Sequence, residues 1–262
     1  MCRLLGVVTP DPTRLADSLT DLIEPFAGLS REHRDGWGVA AWHAGGELAV
    51  TRDLVPAHAS ARFPETLAGS VTDAAILHIR MASPGLATEP HNTHPFSAGA
   101  IAFAHNGYFT PVDAVDDLID PDLLAGAGGE TDSERYFLRV LSRLHAEDPV
   151  DALALAAADI RGRARFASLN CLLLTQHALY AYSEENPDSE VSRRRGPDFF
   201  RLRYQARPDR VVVASSGIGP QHEEGWSVLP YHHVLEIHRS DLRVSTHLVR
   251  SGRPEVTASA RC

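Results

Sequence analysis

The 262-residue chain carries 34 acidic against 25 basic side chains, a formal net charge of −9, and is 44% hydrophobic. That composition fits a globular protein with a substantial core and excludes a general nucleic-acid binder, which would present a basic face. Three scattered cysteines are too few for a disulfide framework, no apolar run reaches the ~20 residues of a membrane span, and no basic-then-apolar leader opens the chain. The expectation is a cytoplasmic protein without membrane or nucleic-acid partners.

Cys2 follows a start methionine that aminopeptidases remove when the next side chain is small. Removal would leave a thiol and a free α-amine on one residue. With a pKa of about 7.7–8.0, that amine can serve as the base for its own nucleophile. Leu4–Val8 reads as a buried strand ending at Thr9-Pro10. Over 13–29, Leu15, Leu19, Leu22, Ile23 and Phe26 recur near helical spacing and predict one helix with an inward face. Asp35-Gly36-Trp37-Gly38 leads tightly into an apolar strand, and Gly45-Gly46 turns it into a second one over 47–53.

Ala74–Ile79 is a further strand with Arg80 at its far end, followed by a loop over 84–97 rich in Pro, Asn, Thr and His. Ala100–Phe103 is a strand running into His105-Asn106-Gly107-Tyr108, where Asn-Gly is first a turn signal. After the flexible Gly126–Gly129, Thr131 and Glu134 fit a capping box for a helix striped by Phe137, Val140, Leu141 and Leu144. A second helix is expected from Val150 to about Arg163. The second half reads as six short strands, over 169–174, 178–182, 199–204, 210–214, 233–237 and 242–248. Between them, 183–197 is expected to be a solvated loop and its Arg193-Arg194-Arg195 of little weight as a site. The tail 251–262 is expected to be disordered. One domain over 1–262, with its core in 2–250, accounts for the pattern, and strands at both ends with helices between favour an α+β architecture.

Four features stand in order: Cys2, His78-Ile79-Arg80-Met81-Ala82-Ser83, His105-Asn106-Gly107 and Thr131-Asp132-Ser133-Glu134. With the opening Met-Cys-Arg-Leu-Leu-Gly, the Asp35–Gly38 block and Asn92-Thr93-His94-Pro95-Phe96, this ordered set resembles the class II glutamine amidotransferases, a branch of the Ntn hydrolases. The resemblance covers residues 2–135 by motif, and Val211–Ser216 is similar to the family's late strand. It implies a four-layer αββα sandwich of two mainly antiparallel sheets, with no cofactor and no metal. Its reaction is hydrolysis of a γ-glutamyl amide through a thioester on Cys2. Asn106 and Gly107 would hold the oxyanion, each such donor being worth about 3 kcal/mol. Arg80 would clamp the substrate α-carboxylate with two parallel hydrogen bonds. Asp132 would take the α-ammonium while Thr131 caps the helix, and Ser83 would add a hydrogen bond to the amino-acid head. Several relatives carry Trp and His where this chain has Met81 and Pro84, so the wall beside the leaving group differs.

The family leaves two roles open. Some members deliver ammonia to a fused or separate synthase, and on this sequence the synthase would be a partner subunit. A stand-alone member instead removes a γ-glutamyl group from a sulfoxide intermediate of ergothioneine biosynthesis, and its opening is similar to this one. Outside the family, His78, His91, His94 and His105 raise a zinc site, but His91-x-x-His94 is an irregular loop spacing with no Cys or carboxylate to complete a tetrahedral set. The plainer reading has His78 and His105 hydrogen-bonded within the core. A non-catalytic binding protein using the same pocket is the remaining alternative, and Cys2 together with Asn106-Gly107 counts against it.

Overall fold

The computed structural model describes residues 2–43, 45–82, 85–218, 225–249 and, as backbone alone, 250 and 253–260. Two seven-stranded antiparallel sheets are present among them. The first contains β1 (Arg3–Arg14), β2 (Trp37–His43), β3 (Leu48–Asp53), β4 (Val71–Ile79), and three later strands. The second contains β5 (Phe96–Ala98), β6 (Ile101–Thr110), β7 (Arg165–Leu174), β8 (Ala178–Ser183), and three strands near the end of the chain. The later strands of the first sheet are β9 (Leu202–Arg207), β10 (Arg210–Ser215) and β11 (Trp226–Val228); those of the second are β12 (His233–His238), β13 (Val244–Arg250) and β14 (Arg253–Ala260). The spatial orders are β11-β9-β10-β1-β4-β2-β3 and β14-β13-β12-β8-β7-β6-β5.

Strand alternation produces the layers. In β1, Leu4 and Val8 meet Ala102, Ala104 and Leu172 of the second sheet, whereas Leu5 and Val7 face the helical side. That side is covered by α1 (Leu15–Ser18), α2 (Ile23–Leu29) and α3 (Arg62–Gly69) through Leu15, Leu19, Phe26 and Phe63. The outer face of the second sheet, with Phe103, Leu169 and Tyr180, lies under α5 (Asp132–Leu144) and α6 (Pro149–Arg163), with α4 (Pro121–Ala125) preceding them. Helix, sheet, sheet, helix is the expected α+β sandwich. No described helix is long and apolar enough to cross a membrane.

Four local expectations are corrected. Strand β1 extends to Arg14, opposite Val71, and the helix expected over 13–29 is two short ones. The Thr20 hydroxyl donates to the carbonyls of Ala16 and Asp17, which a continuing helix would give to backbone N–H groups. The buried stripe survives because both pieces keep one face inward. Asn106-Gly107 is not a turn: β6 runs straight through it, opposite Asn170 and Leu169. Tertiary pairing with β7 overrides the dipeptide's local preference.

The 183–197 segment is not merely solvated. It contains α7 (Glu190–Arg195), and Glu184 is buried against Arg161 and Tyr182. Arg195 pairs with Glu32 and lies over the Phe199 ring. The tail expected to be disordered instead forms β14 over Arg253–Ala260, paired with β13; 251–252 and 261–262 lie outside the described residues.

Candidate active site

The end of β1 sets the position of Cys2. Arg3 pairs with Ile79 and Leu4 with His78, so the register carries Cys2 alongside Arg80, just past the end of β4. The thiol is buried; it accepts from the Met81 N–H at 3.4 Å and lies 3.6 Å from the Met81 carbonyl oxygen. Burial pushes its pKa up, against the opposing pull of the Met81 hydrogen bond and the Arg80 charge. At neutral pH it is therefore a thiol, and a nucleophilic role requires a base.

Arg80 is held by the glycine-flanked block before β2. Its N–H donates to Gly36 O at 2.9 Å, its carbonyl accepts from Asp35 N at 3.1 Å, and Ala82 N donates to the Asp35 carboxylate at 2.7 Å. Gly36 has φ +105°, and a Cβ there would overlap the Asp53 carbonyl oxygen, so this turn demands glycine. The guanidinium is buried. Nη2 donates to Ala87 O at 3.2 Å, while Nη1 has no protein partner. Desolvation lowers the Arg80 pKa, opposed by Cys2 and Asp35. A buried cationic donor without a partner is costly unless an anion meets it.

On β6, Asn106 shares the inter-sheet face with Ala102 and Ala104. It is fully buried, and neither its carboxamide oxygen nor its nitrogen has a partner. Gly107 faces the other way. A Cβ on Gly107 would overlap the Ser168 carbonyl oxygen and lie 2.6 Å from His105 Nε2. His105 itself is satisfied, with Nδ1 2.9 Å from Ser133 Oγ and Nε2 2.9 Å from Ser168 O. Burial brings its pKa down to about 4, so the imidazole is neutral. We expect Gly107→Ala to cost about 3 kcal/mol, the upper end for overpacking, because rigid backbone occupies the space. Urea unfolding would read this; a loss below about 1 kcal/mol contradicts the crowding.

Asp132 opens α5. Thr131 caps the helix by accepting from Glu134 N at 3.1 Å. The capping box is only half realised: the Glu134 carboxylate accepts from Gly128 N at 2.9 Å and Gly129 N at 2.8 Å. Asp132 is thereby free of capping duty; its Oδ2 accepts from Phe109 N at 2.7 Å. Burial, only partly offset by that bond and its helix-start neighbours, pushes its pKa from 3.8 up to about 6.

Cys2, Arg80, Gly107 and Asp132 line one cleft, together with Met81, Ala82, Leu86, Asn92, His94, Thr131 and Ser133. Asn106 lies beside it on β6, next to Gly107. Ser83 and Pro84 lie outside the described residues. Larger hollows exist around Asp148–Asp151 with Glu236 and His247, and around Glu24–Arg31, but neither gathers a cysteine with an unpaired buried donor. Among the described residues no three His, Cys, Asp or Glu side chains form a set that could hold a metal. The His78 and His94 rings instead lie against each other, tilted by 44° with centroids 4.3 Å apart, and burial lowers both pKa values, that of His78 to about 3. The hydrogen bonding expected for His78 has no counterpart at its ring nitrogens, whereas that of His105 does.

Sequence reading gave Asp35 and Asn92 no individual role. Asp35 and Asn92 sat in motifs noted only as blocks, because a contact between Asp35 and Ala82, 47 residues apart, leaves no local signal.

Residues 1–207 match the glutamine amidotransferases class-II family. The chain is 26% identical over 249 residues to the gamma-glutamyl-hercynylcysteine sulfoxide hydrolase of Mycolicibacterium smegmatis, covering 90% of this chain and 96% of that one. It is 27% identical over 243 residues to an uncharacterized protein of Methanocaldococcus jannaschii, covering 87% of this chain but only 63% of the archaeal protein. In fold it is similar to a glutamine aminotransferase class-II domain protein from Silicibacter pomeroyi, with a TM-score of 0.67 and 22% identity over 95% of this chain and 100% of that one. By the family match over most of its length, the chain belongs to the class II glutamine amidotransferases.

Proposed function

We propose that this enzyme hydrolyses γ-glutamyl amides through a thioester on Cys2, and that its leaving group is larger than ammonia. The observation that carries the reading is the convergence of Cys2, Gly107, Asp132 and the unpaired Arg80 Nη1 on one cleft, with the unpaired Asn106 carboxamide beside it. With Met1 removed, the Cys2 α-amine takes the thiol proton as sulfur adds to the γ-carbonyl. The negative oxygen is held by Asn106 Nδ2–H and Gly107 N–H. The C–N bond breaks, the departing amine leaves with the proton, and water then attacks the thioester, releasing glutamate and restoring the thiol. Arg80 binds the α-carboxylate, Asp132 the α-ammonium, and Ser83 supplements the amino-acid head.

Beside its charged groups the cleft has the apolar lining residues Met81, Ala82 and Leu86, which suit an organic leaving group. The similarity to a hydrolase of a γ-glutamyl sulfoxide, over nearly its whole length, supports a bulky amine there. A panel of γ-glutamyl amides of rising size, assayed on the protein alone, tests this. Turnover of large amides faster than of glutamine is expected. Strict preference for glutamine, or activity only on adding a synthase subunit, favours ammonia delivery to a partner instead. Arg80→Lys should lower kcat/KM by ~100-fold, since a planar fork fixed on Ala87 O with Nη1 aimed at the substrate becomes a point charge. Iodoacetamide alkylation of Cys2 should be unchanged; a parallel fall in alkylation would make Arg80 structural.

A further inference from the structure

Asn92 belongs to a motif that the proposed chemistry leaves without a role. It is 1% exposed and lines the cleft with Cys2, Arg80 and Asp132. Its amide orientation is fixed by its neighbours: Oδ1 accepts from Glu130 N at 3.2 Å, so the nitrogen is the free end. Gly129 makes that approach possible, because a Cβ there would overlap Asn92 Oδ1. Nδ2 is buried and has no acceptor. An NH₂ group can only donate, so the cleft presents a donor that needs an oxygen.

Arg80 Nη1 is another unsatisfied donor in the same cleft, where the His94 ring nitrogens also lack a partner. Asn92 and Arg80 are tied through one loop: Arg80 Nη2 donates to Ala87 O, five residues before Asn92, and Asn92 N closes the short turn onto Glu89 O at 3.1 Å. The cleft's carboxylate, Asp132, already accepts from Phe109 N. A planar substrate carboxylate, with two oxygens and four lone pairs, satisfies both donors at once.

We propose that Asn92 is a further substrate-binding residue, whose Nδ2 donates to the same α-carboxylate that Arg80 grips. This rests on the Arg80 assignment above and extends it. Carboxylate selectivity then comes from a cation and a neutral donor set by two different segments, β4 and the 89–92 turn. A substrate whose α-carboxylate is replaced by a carboxamide loses the charge and one acceptor oxygen; with Arg80 taking the oxygen that remains, Asn92 Nδ2 faces an NH₂ and is left unpaired.

The test compares γ-glutamyl p-nitroanilide with its α-carboxamide counterpart on wild type, Asn92→Asp and Asn92→Ala. Asn92→Asp keeps the oxygen that Glu130 N needs but turns the donor into an anionic acceptor. It should cut kcat/KM on the carboxylate substrate by ~100-fold, mainly through KM, and change the carboxamide substrate by less than ~3-fold. Asn92→Ala should lower the selectivity ratio by ~10-fold. The ratio is measured within one protein, so the folded fraction cancels. Equal losses on both substrates, or none, overturn the Asn92 assignment alone. If wild type itself does not discriminate between the two substrates, the Arg80 reading fails with it.

Discussion

Replacing Cys2 by Ser or Ala is expected to remove at least ~10³-fold of γ-glutamyl amide turnover, and so is any residue left in front of it. The two effects have separate physical origins. The substitution removes the nucleophile, whereas an upstream residue converts the α-amine to an amide and removes the base. The buried thiol, pushed upward in pKa, makes that base necessary, since little thiolate forms unaided at neutral pH. Intact mass of active protein should show loss of Met1. An N-terminally extended form with full activity would exclude the α-amine as base, though not Cys2 as nucleophile. Both variants should stay folded, because the Cys2 side chain hydrogen-bonds only with the Met81 backbone among the described residues.

Asp132→Asn should destroy recognition and at the same time stabilise the protein. Its carboxyl pKa is raised from 3.8 to about 6 by burial. Between those values the folded state holds a proton that the unfolded chain has released. Stability from this group is therefore present at low pH, is lost as pH rises from about 4 through about 6, and stays lost above. A shift of that size corresponds to about 2–3 kcal/mol as an upper bound. The isosteric amide cannot ionise and escapes the penalty, and its oxygen can still accept from Phe109 N. At pH 7.5 the variant should melt several degrees higher than wild type, and at pH 4 the difference should vanish. Its kcat/KM on γ-glutamyl amides should fall by ~100-fold, since the α-ammonium loses its counter-charge. Wild-type kcat/KM should rise with pH through about 6 as Asp132 ionises. A variant no more stable than wild type at pH 7.5 would show that the carboxylate is already paid for by its hydrogen bonds.

The layer architecture was legible because strand alternation and helix stripes are local: Leu4, Leu5, Val7 and Val8 report their faces from sequence alone. Asn106-Gly107 misled as a turn because its partner, Leu169-Asn170 on β7, lies more than sixty residues away. The constraint that makes residue 107 a glycine comes from behind, from the His105 ring on the same strand and from Ser168, which lies far off in sequence and leaves no local signal. Thr131 capped as its motif predicts, but Glu134 went to the Gly128–Gly129 amides instead of closing the box, since a buried carboxylate takes the donors packed against it. Arg80 and Asp132 were singled out through the family resemblance, and the fold brings them to one cleft. That Arg80 Nη1 is left unpaired, that Asp35 fastens Ala82 two residues on, and that Asn92 lines the same cleft depends on contacts that no spacing encodes.

The central claim is the covalent route through Cys2, and one measurement addresses it most directly. The protein lacking Met1 is mixed with excess γ-glutamyl p-nitroanilide, quenched in acid within a turnover, and its N-terminal peptide weighed. A thioester predicts one γ-glutamyl group on the Cys2 peptide, discharged by hydroxylamine and absent from Cys2→Ala. Full turnover with an unmodified Cys2 peptide at every quench time, together with undiminished activity in Cys2→Ala, would contradict it.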